Sequence, residues 1–177
     1  MYDEGKGSIY HLQGLGLKIP DEFKISAAYA LSHKFNDIVV HSGGFVEDDL
    51  IQQASDINYE AKKIDIKLDK TPSNKIFSKK ILQNINRLVH SFEIQQADVV
   101  LEIFDNIRRL ELQVDISEAQ NIYFAKIYHR IGAIIEAGTL NKRSSNKRFV
   151  EMLLDIGENL NINTEFYRKK LDKLLLQ

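Results

Sequence analysis

Residues 71–92 read TPSNKIFSKKILQNINRLVHSF, and the spacing of their apolar side chains decides the fold class. Phe77, Ile81, Ile85, Leu88, Val89 and Phe92 recur every three to four residues, the period of an α-helix with one buried face. Thr71 ahead of Pro72 marks the start. Threonine is a good cap, and a proline at the first helical position gives up only an N–H that would be unpaired anyway. The only other proline, Pro20, precedes Asp21 and Glu22, acids that suit the positive end of a helix dipole.

Moving outward, the same period reappears along most of the chain. It runs through Phe23, Ala27, Ala30 and Leu31, fading near Asn36, and again through Ala97, Val100, Leu101, Phe104 and Ile107. The clearest stripe is Phe124, Ile127, Tyr128, Ile131, Ile134 and Ile135, with Gly138 placed to end it. Others fall at Phe149, Met152, Leu153 and Ile156, at Tyr167, Leu171, Leu174 and Leu175, and over Leu50 to Ala61 behind Glu47, Asp48 and Asp49. This is an all-α pattern.

Between the helices a second motif recurs. Leu15-Gly16-Leu17-Lys18-Ile19, Ile64-Asp65-Ile66-Lys67-Leu68, Leu110-Glu111-Leu112-Gln113-Val114 and Leu160-Asn161-Ile162 each alternate apolar residues just before a helix start. Their first residues are spaced 49, 46 and 50 apart, room for about two helices each. The expected fold is an irregular bundle of about six to eight helices, built from hairpins with short extended connectors that tuck alternate side chains inward. A regular αα-repeat solenoid is the alternative.

Composition narrows the function classes. The 177 residues carry 24 Lys+Arg against 25 Asp+Glu, a net charge of −1, with 44% apolar residues and no cysteine. Disorder, a disulfide framework, a thiolate nucleophile and a Cys-built zinc site are excluded. Charge balance argues against a strongly basic nucleic-acid binder. No apolar run approaches the roughly 20 residues that span a bilayer, and Met1-Tyr2-Asp3-Glu4-Gly5-Lys6 is no secretory signal. The expectation is a single helical domain over residues 1–177, cytoplasmic and without a membrane partner, either complete or the C-terminal part of a larger protein. Any apolar helix face would allow a homo-oligomer.

Candidate chemistry is sparse. His11, His33, His41, His90 and His129 show no i, i+4 metal spacing, and His33, His90 and His129 lie opposite the apolar stripes, as solvated histidines do. The pairs Gly14/Gly16 and Gly43/Gly44 lack the pattern of a phosphate loop. Glu47, Asp48 and Asp49 suit a helix start better than acid–base work. No cofactor and no metal is implied. Lys142, Arg143, Lys147 and Arg148 form a small basic loop, either solvated or a grip for a phosphate-bearing partner. In Asp115-Ile116-Ser117-Glu118-Ala119-Gln120-Asn121, Asp115 and Glu118 resemble a capping box, while Gln120 falls on the apolar face with Asn121 at its margin. Two readings of Gln120 and Asn121 follow: they tie the connector Leu110 to Val114 to the helix, or they bind a ligand such as a sugar hydroxyl.

Leu12-Gln13-Gly14-Leu15-Gly16-Leu17-Lys18-Ile19-Pro20, Ala27-Ala28-Tyr29-Ala30-Leu31 and above all Ile116-Ser117-Glu118-Ala119-Gln120-Asn121-Ile122-Tyr123-Phe124 carry a resemblance. They resemble the helical domain of unknown function that lies C-terminal to catalytic barrels of the glycoside hydrolase family 57 type, the amylases, glucanotransferases and branching enzymes. Where that family carries a tryptophan two residues before Ala-Gln-Asn, this chain has Ser117. The resemblance implies no catalytic residue here, because the family's Glu nucleophile and Asp acid sit on the barrel. It implies a non-catalytic structural or interaction module of α-glucan-processing machinery, with a glycosidase-like catalytic domain in the same or a neighbouring chain as partner. Two alternatives stand beside it: a fragment contributing to the active site of a glycoside hydrolase or glucanotransferase, and an αα-repeat scaffold that binds a protein.

Overall fold

The computed structural model describes residues 14–16, 18–41, 48–136 and 144–175, together with Gly7 and His11. Gly43, Gly44, Glu47, Gly138, Lys142 and Arg143 lie outside the described residues, as do the side chains of Leu174 and Leu175. The described residues are all-α and include no strand. The helices are α1 (Asp21–His41), α2 (Asp48–Lys63), α3 (Thr71–Ser91), α4 (Ile94–Arg109), α5 (117–136), α6 (Ser144–Asn159) and α7 (Glu165–Leu175). Helix α5 is α-helical over Ser117–Tyr123, takes one π turn over Phe124–Tyr128, and is α-helical again over His129–Glu136.

The chain forms two compact units. One comprises the described residues of Met1–Ile76 with Arg109–Leu112, and the other Phe77–Arg108 with Gln113–Gln177. In the first, the core is Ala27, Leu31, Phe35 and Val39 of α1 against Ile51, Ala54 and Ala61 of α2. In the second, it is built on Phe77, Ile81 and Ile85, Val100 and Phe104, Tyr123 and Ile127, and Val150, Leu153 and Leu154. Phe23, expected inside, is exposed, and α1 runs five residues past Asn36 because Val39 extends its buried stripe.

Burial reveals a register that the apolar pattern only hinted at. Ala27, Leu31 and Phe35 are each 46 residues before Ser73, Phe77 and Ile81, which are in turn 46 before Ala119, Tyr123 and Ile127, and all nine are buried. In the alternate helices, Ile51, Ala54, Asn58 and Ala61 stand 46 residues before Ala97, Val100, Phe104 and Ile107, again all buried. Val100, Ile103 and Leu110 recur 50 residues on as Val150, Leu153 and Leu160. A hairpin of two helices is therefore the recurring local unit.

The alternating connectors begin as helix caps. Gly16, Asp65, Glu111 and Asn161 all have positive φ, between 52° and 70°, where glycine is easiest and Asp or Asn next. At Asp65 the N–H bonds to the Lys62 carbonyl and that of Ile66 to the Ala61 carbonyl, and Asn161 and Ile162 repeat both bonds to Glu158 and Gly157. This is the Schellman closure of a helix end, which wants apolar residues on either side of the left-handed position. Four residues past Asp65 and Glu111, and two past Asn161, a side chain opens the next helix. Asp69 Oδ1 accepts from the Thr71 N–H, Asp115 Oδ1 from the Ser117 N–H and Asn163 Oδ1 from the Glu165 N–H, at 2.9, 3.0 and 3.0 Å. Thr71 and the expected Asp115–Glu118 box are thus displaced: the acid sits two residues before the helix, and Ile116 holds the cap position. The Thr71 hydroxyl and then its N–H hold the Asp69 carboxyl below the usual aspartate range, and the Ser117 N–H and then its hydroxyl do the same for Asp115.

Candidate functional site

The recurring unit ties each connector with the same side chain. Ser32 Oγ accepts from the Asp69 N–H at 2.9 Å, and 46 residues later Ser78 Oγ accepts from the Asp115 N–H at 2.8 Å. A further 46 residues on stands Phe124, which has no acceptor to offer and is 50% exposed. Departures from a local rule tend to mark functional places, and this one coincides with the π turn, itself a common companion of functional sites. Ala119, Tyr123, Ile127, Ile131 and Ile135 are buried at intervals of four, one step longer than the runs Ala27 to Val39 in α1 and Ser73 to Ile85 in α3. A 3.6-residue helix carries such a run around its axis, and a wider turn takes up part of that drift. Ile131 stands 46 residues after Ile85, and Ile135 stands 47 after Leu88.

Four rings gather at this break. Phe124 and Tyr128 are nearly parallel, 5.2 Å apart, Tyr128 lies 4.8 Å from Tyr167, and Tyr167 5.3 Å from Phe166, which is 64% exposed. His129 meets Phe124 and Tyr128 edge-on at 5.8 and 6.1 Å. Tyr167 can approach because Gly132 has no side chain; a Cβ there would stand 2.7 Å from the Tyr167 hydroxyl. Helix α7 is held in place by Arg168, which pairs with Glu158 at 2.5 Å and Asp155 at 2.6 Å. Thr164 also donates to Glu158, so these bonds hold the Glu158 carboxyl below the usual glutamate range. At the rim, Lys170 pairs with Glu136 at 2.8 Å and sits 5.5 Å from the Phe166 ring centre. Burial, then the neighbouring Tyr167, raises the Tyr128 hydroxyl, which donates to the Asn163 carbonyl at 3.2 Å.

Gln120 lies one turn before Phe124 and does tie a connector, though not the expected one. Its Nε2 donates to the Leu160 carbonyl at 2.9 Å. The Leu110 to Val114 connector has other partners: the Leu110 carbonyl accepts from Asn58 at 3.0 Å and Lys70 at 2.8 Å. Asn121 is exposed. Of the basic loop, Lys147 pairs with Glu151 at 3.5 Å and Arg148 with Asp98 at 3.6 Å. His33, His90 and His129 are exposed, and His33 pairs with Asp37 at 2.7 Å. Among the described residues, no three His, Asp or Glu side chains form a metal-ligand group, and no helix is long and apolar enough to cross a membrane.

The shifted carboxyls, Asp69, Glu111, Asp115, Glu136 and Glu158, are all lowered. A general acid needs the opposite direction. What the ridge offers is contact: flat ring faces bordered by hydroxyl, imidazole and ammonium groups. The sequence carried an unused signal for it. Tyr123-Phe124 and Phe166-Tyr167 are adjacent aromatic pairs, and neighbours on a helix stand 100° apart, so one ring of each pair must leave the core. Compared with protein-family models, with curated proteins and with solved structures, the chain matches none.

Proposed function

We propose that the chain is a non-catalytic helical interaction module of α-glucan-processing machinery, and that it holds a glucan chain on the Phe124–Tyr128–Tyr167–Phe166 ridge. The observation that carries this reading is the row of four rings, Phe124 and Phe166 exposed and Tyr128 and Tyr167 half-buried, at the place where the connector-tying serine is replaced. The apolar faces of sugar rings stack on aromatic rings, while polar groups at the border fix the hydroxyls. The resemblance of residues 116–124 to the helical domain beside family 57 barrels supports the choice of glucan and a catalytic partner domain.

Affinity electrophoresis of the full chain in gels containing amylopectin tests this. The protein should be retarded, and Phe124→Ala with Phe166→Ala should restore free mobility without lowering the melting temperature by more than a degree or two. Unretarded migration of the parent chain, or release of reducing sugar from soluble starch, would refute the reading.

A further inference from the structure

The first unit has a pocket of about 320 Å³ between α1 and the connector that leads to α3, with Tyr29, Ser32, His33, Asn36, Lys67 and Asp69 in its wall. One acid of that wall is fixed from three directions. The Asp69 N–H donates to Ser32 Oγ at 2.9 Å, and the Asp69 carbonyl accepts from Asn36 Nδ2 at 2.7 Å. Asn36 is itself fixed, its Oδ1 accepting from the Ser73 hydroxyl at 2.6 Å. The Asp69 carboxylate is held by the Thr71 hydroxyl and N–H, which keep it ionised. A carboxylate has about four acceptor positions, and Thr71 fills two of them. His33 is oriented in a similar way. Asp37 Oδ2 lies 2.7 Å from its Nδ1, so in the neutral ring the proton is on Nδ1 and Nε2 is an acceptor. Lys67 adds a donor. Tyr29, 76% exposed, adds an open ring face, tilted 45° to the His33 ring with centres 6.5 Å apart.

The second hairpin shows which of these groups are peculiar to the pocket. Ser32 recurs 46 residues on as Ser78 and makes the same bond, to Asp115, so the serine belongs to the repeat. Tyr29, His33 and Asn36 become Lys75, Lys79 and Leu82. The charges of the first hairpin also balance. With the imidazole neutral, Lys34 and Lys67 offset Asp37 and Asp69, so neither a cation nor an anion gains a net attraction. We infer that this pocket binds one ring of an uncharged sugar. Its apolar face lies on Tyr29, while its hydroxyls donate to Asp69 and to His33 Nε2 and accept from Lys67. That the sugar is glucose rests on the glucan reading above; that it is a neutral sugar rests on the pocket alone.

The test titrates the full ¹⁵N-labelled chain with maltotriose and, as an acyclic control, with sorbitol. Maltotriose should give saturable shifts at Tyr29, His33 and Lys67, and sorbitol should give none. Tyr29→Ala should weaken maltotriose binding about three- to tenfold, and Tyr29→Phe should preserve it. The ring is exposed, so neither variant should lower the melting temperature. The pocket shifts should persist in the chain carrying Phe124→Ala and Phe166→Ala, which separates this site from the ridge. Shifts at Phe124 and Phe166 alone would overturn the pocket and leave the ridge. Pocket shifts in a chain that amylopectin gels do not retard would uphold the pocket and overturn the ridge. Absence of shifts at Tyr29 and His33, equal shifts with sorbitol, or an unchanged affinity of Tyr29→Ala would overturn the proposal.

Discussion

Replacing Gln120 probes the bond between α5 and the last connector. Gln120 is half-buried, and its Nε2 donates to the Leu160 carbonyl at 2.9 Å. Gln120→Leu keeps most of the side-chain volume and removes the donor, so the change isolates the bond. An intramolecular hydrogen bond contributes about 0.5–1.5 kcal/mol net, and a carbonyl left partly dry raises the loss toward about 2 kcal/mol. For a chain of this size each kcal/mol moves the melting temperature by about 2–4 °C. The expected drop is therefore about 1–8 °C by calorimetry. Gln120→Glu adds a sign test. Ionised, the new carboxylate faces a carbonyl oxygen and repels it; protonated, it donates as the amide did. Its folded-state pKa is thus raised above the unfolded value of about 4.3. A raised pKa means stability that is present below the unfolded pKa and lost as pH rises through the folded one. Relative to the parent chain at each pH, Gln120→Glu should be destabilised at pH 7 more than Gln120→Leu, and should converge on the parent near pH 4. A Gln120→Leu chain that melts with the parent, or a Gln120→Glu deficit independent of pH, would refute the tie.

Gly157→Ala would bring a Cβ within 2.9 Å of Thr164 Cγ2 and of the buried Tyr123 hydroxyl, so it should lower stability in urea by about 1–3 kcal/mol. Gly132→Ala should cost less, because only the half-buried Tyr167 must swing away, but it should change tyrosine fluorescence and weaken glucan retention. Ser78→Ala deprives the Asp115 N–H of its acceptor and should cost about 1 kcal/mol in the same urea titration. Because Glu111, Glu136 and Glu158 are lowered by Lys62, Lys170 and Arg168, their stabilisation is present above the unfolded pKa of about 4.3 and lost as pH falls through the folded values. Melting temperature should fall below about pH 4, and more shallowly in Arg168→Gln.

The helices were legible because each buries one stripe, and a stripe leaves a period in the sequence whatever it packs against. Ala97, Val100, Phe104 and Ile107 were read as one face and are one. Phe124 was misplaced because local periodicity assumes 3.6 residues per turn, and the π turn widens α5 at that residue. The alternating connectors were visible as a repeat, and Ile64, Leu68, Leu110, Leu112 and Leu160 are buried while Asp65, Lys67, Glu111, Gln113 and Asn161 are exposed; the left-handed helix end on which they open was not visible. Gln120 was marked as a tie, but its partner lies 40 residues away at Leu160, and nothing local distinguishes that carbonyl from a nearer one. The ridge was half legible: adjacent aromatic pairs showed that rings must leave the core, without showing that Tyr128 and Tyr167 would meet.

By itself the sequence determined the helical class, the hairpin period and the places where helices begin and end, since these depend on contacts within a few residues and on which side of a helix is apolar. Tertiary packing alone decided which rings are left in water and which carbonyl Gln120 reaches. Those outcomes depend on which surfaces meet across tens of residues, and a periodic stripe specifies that a face is buried without specifying what buries it.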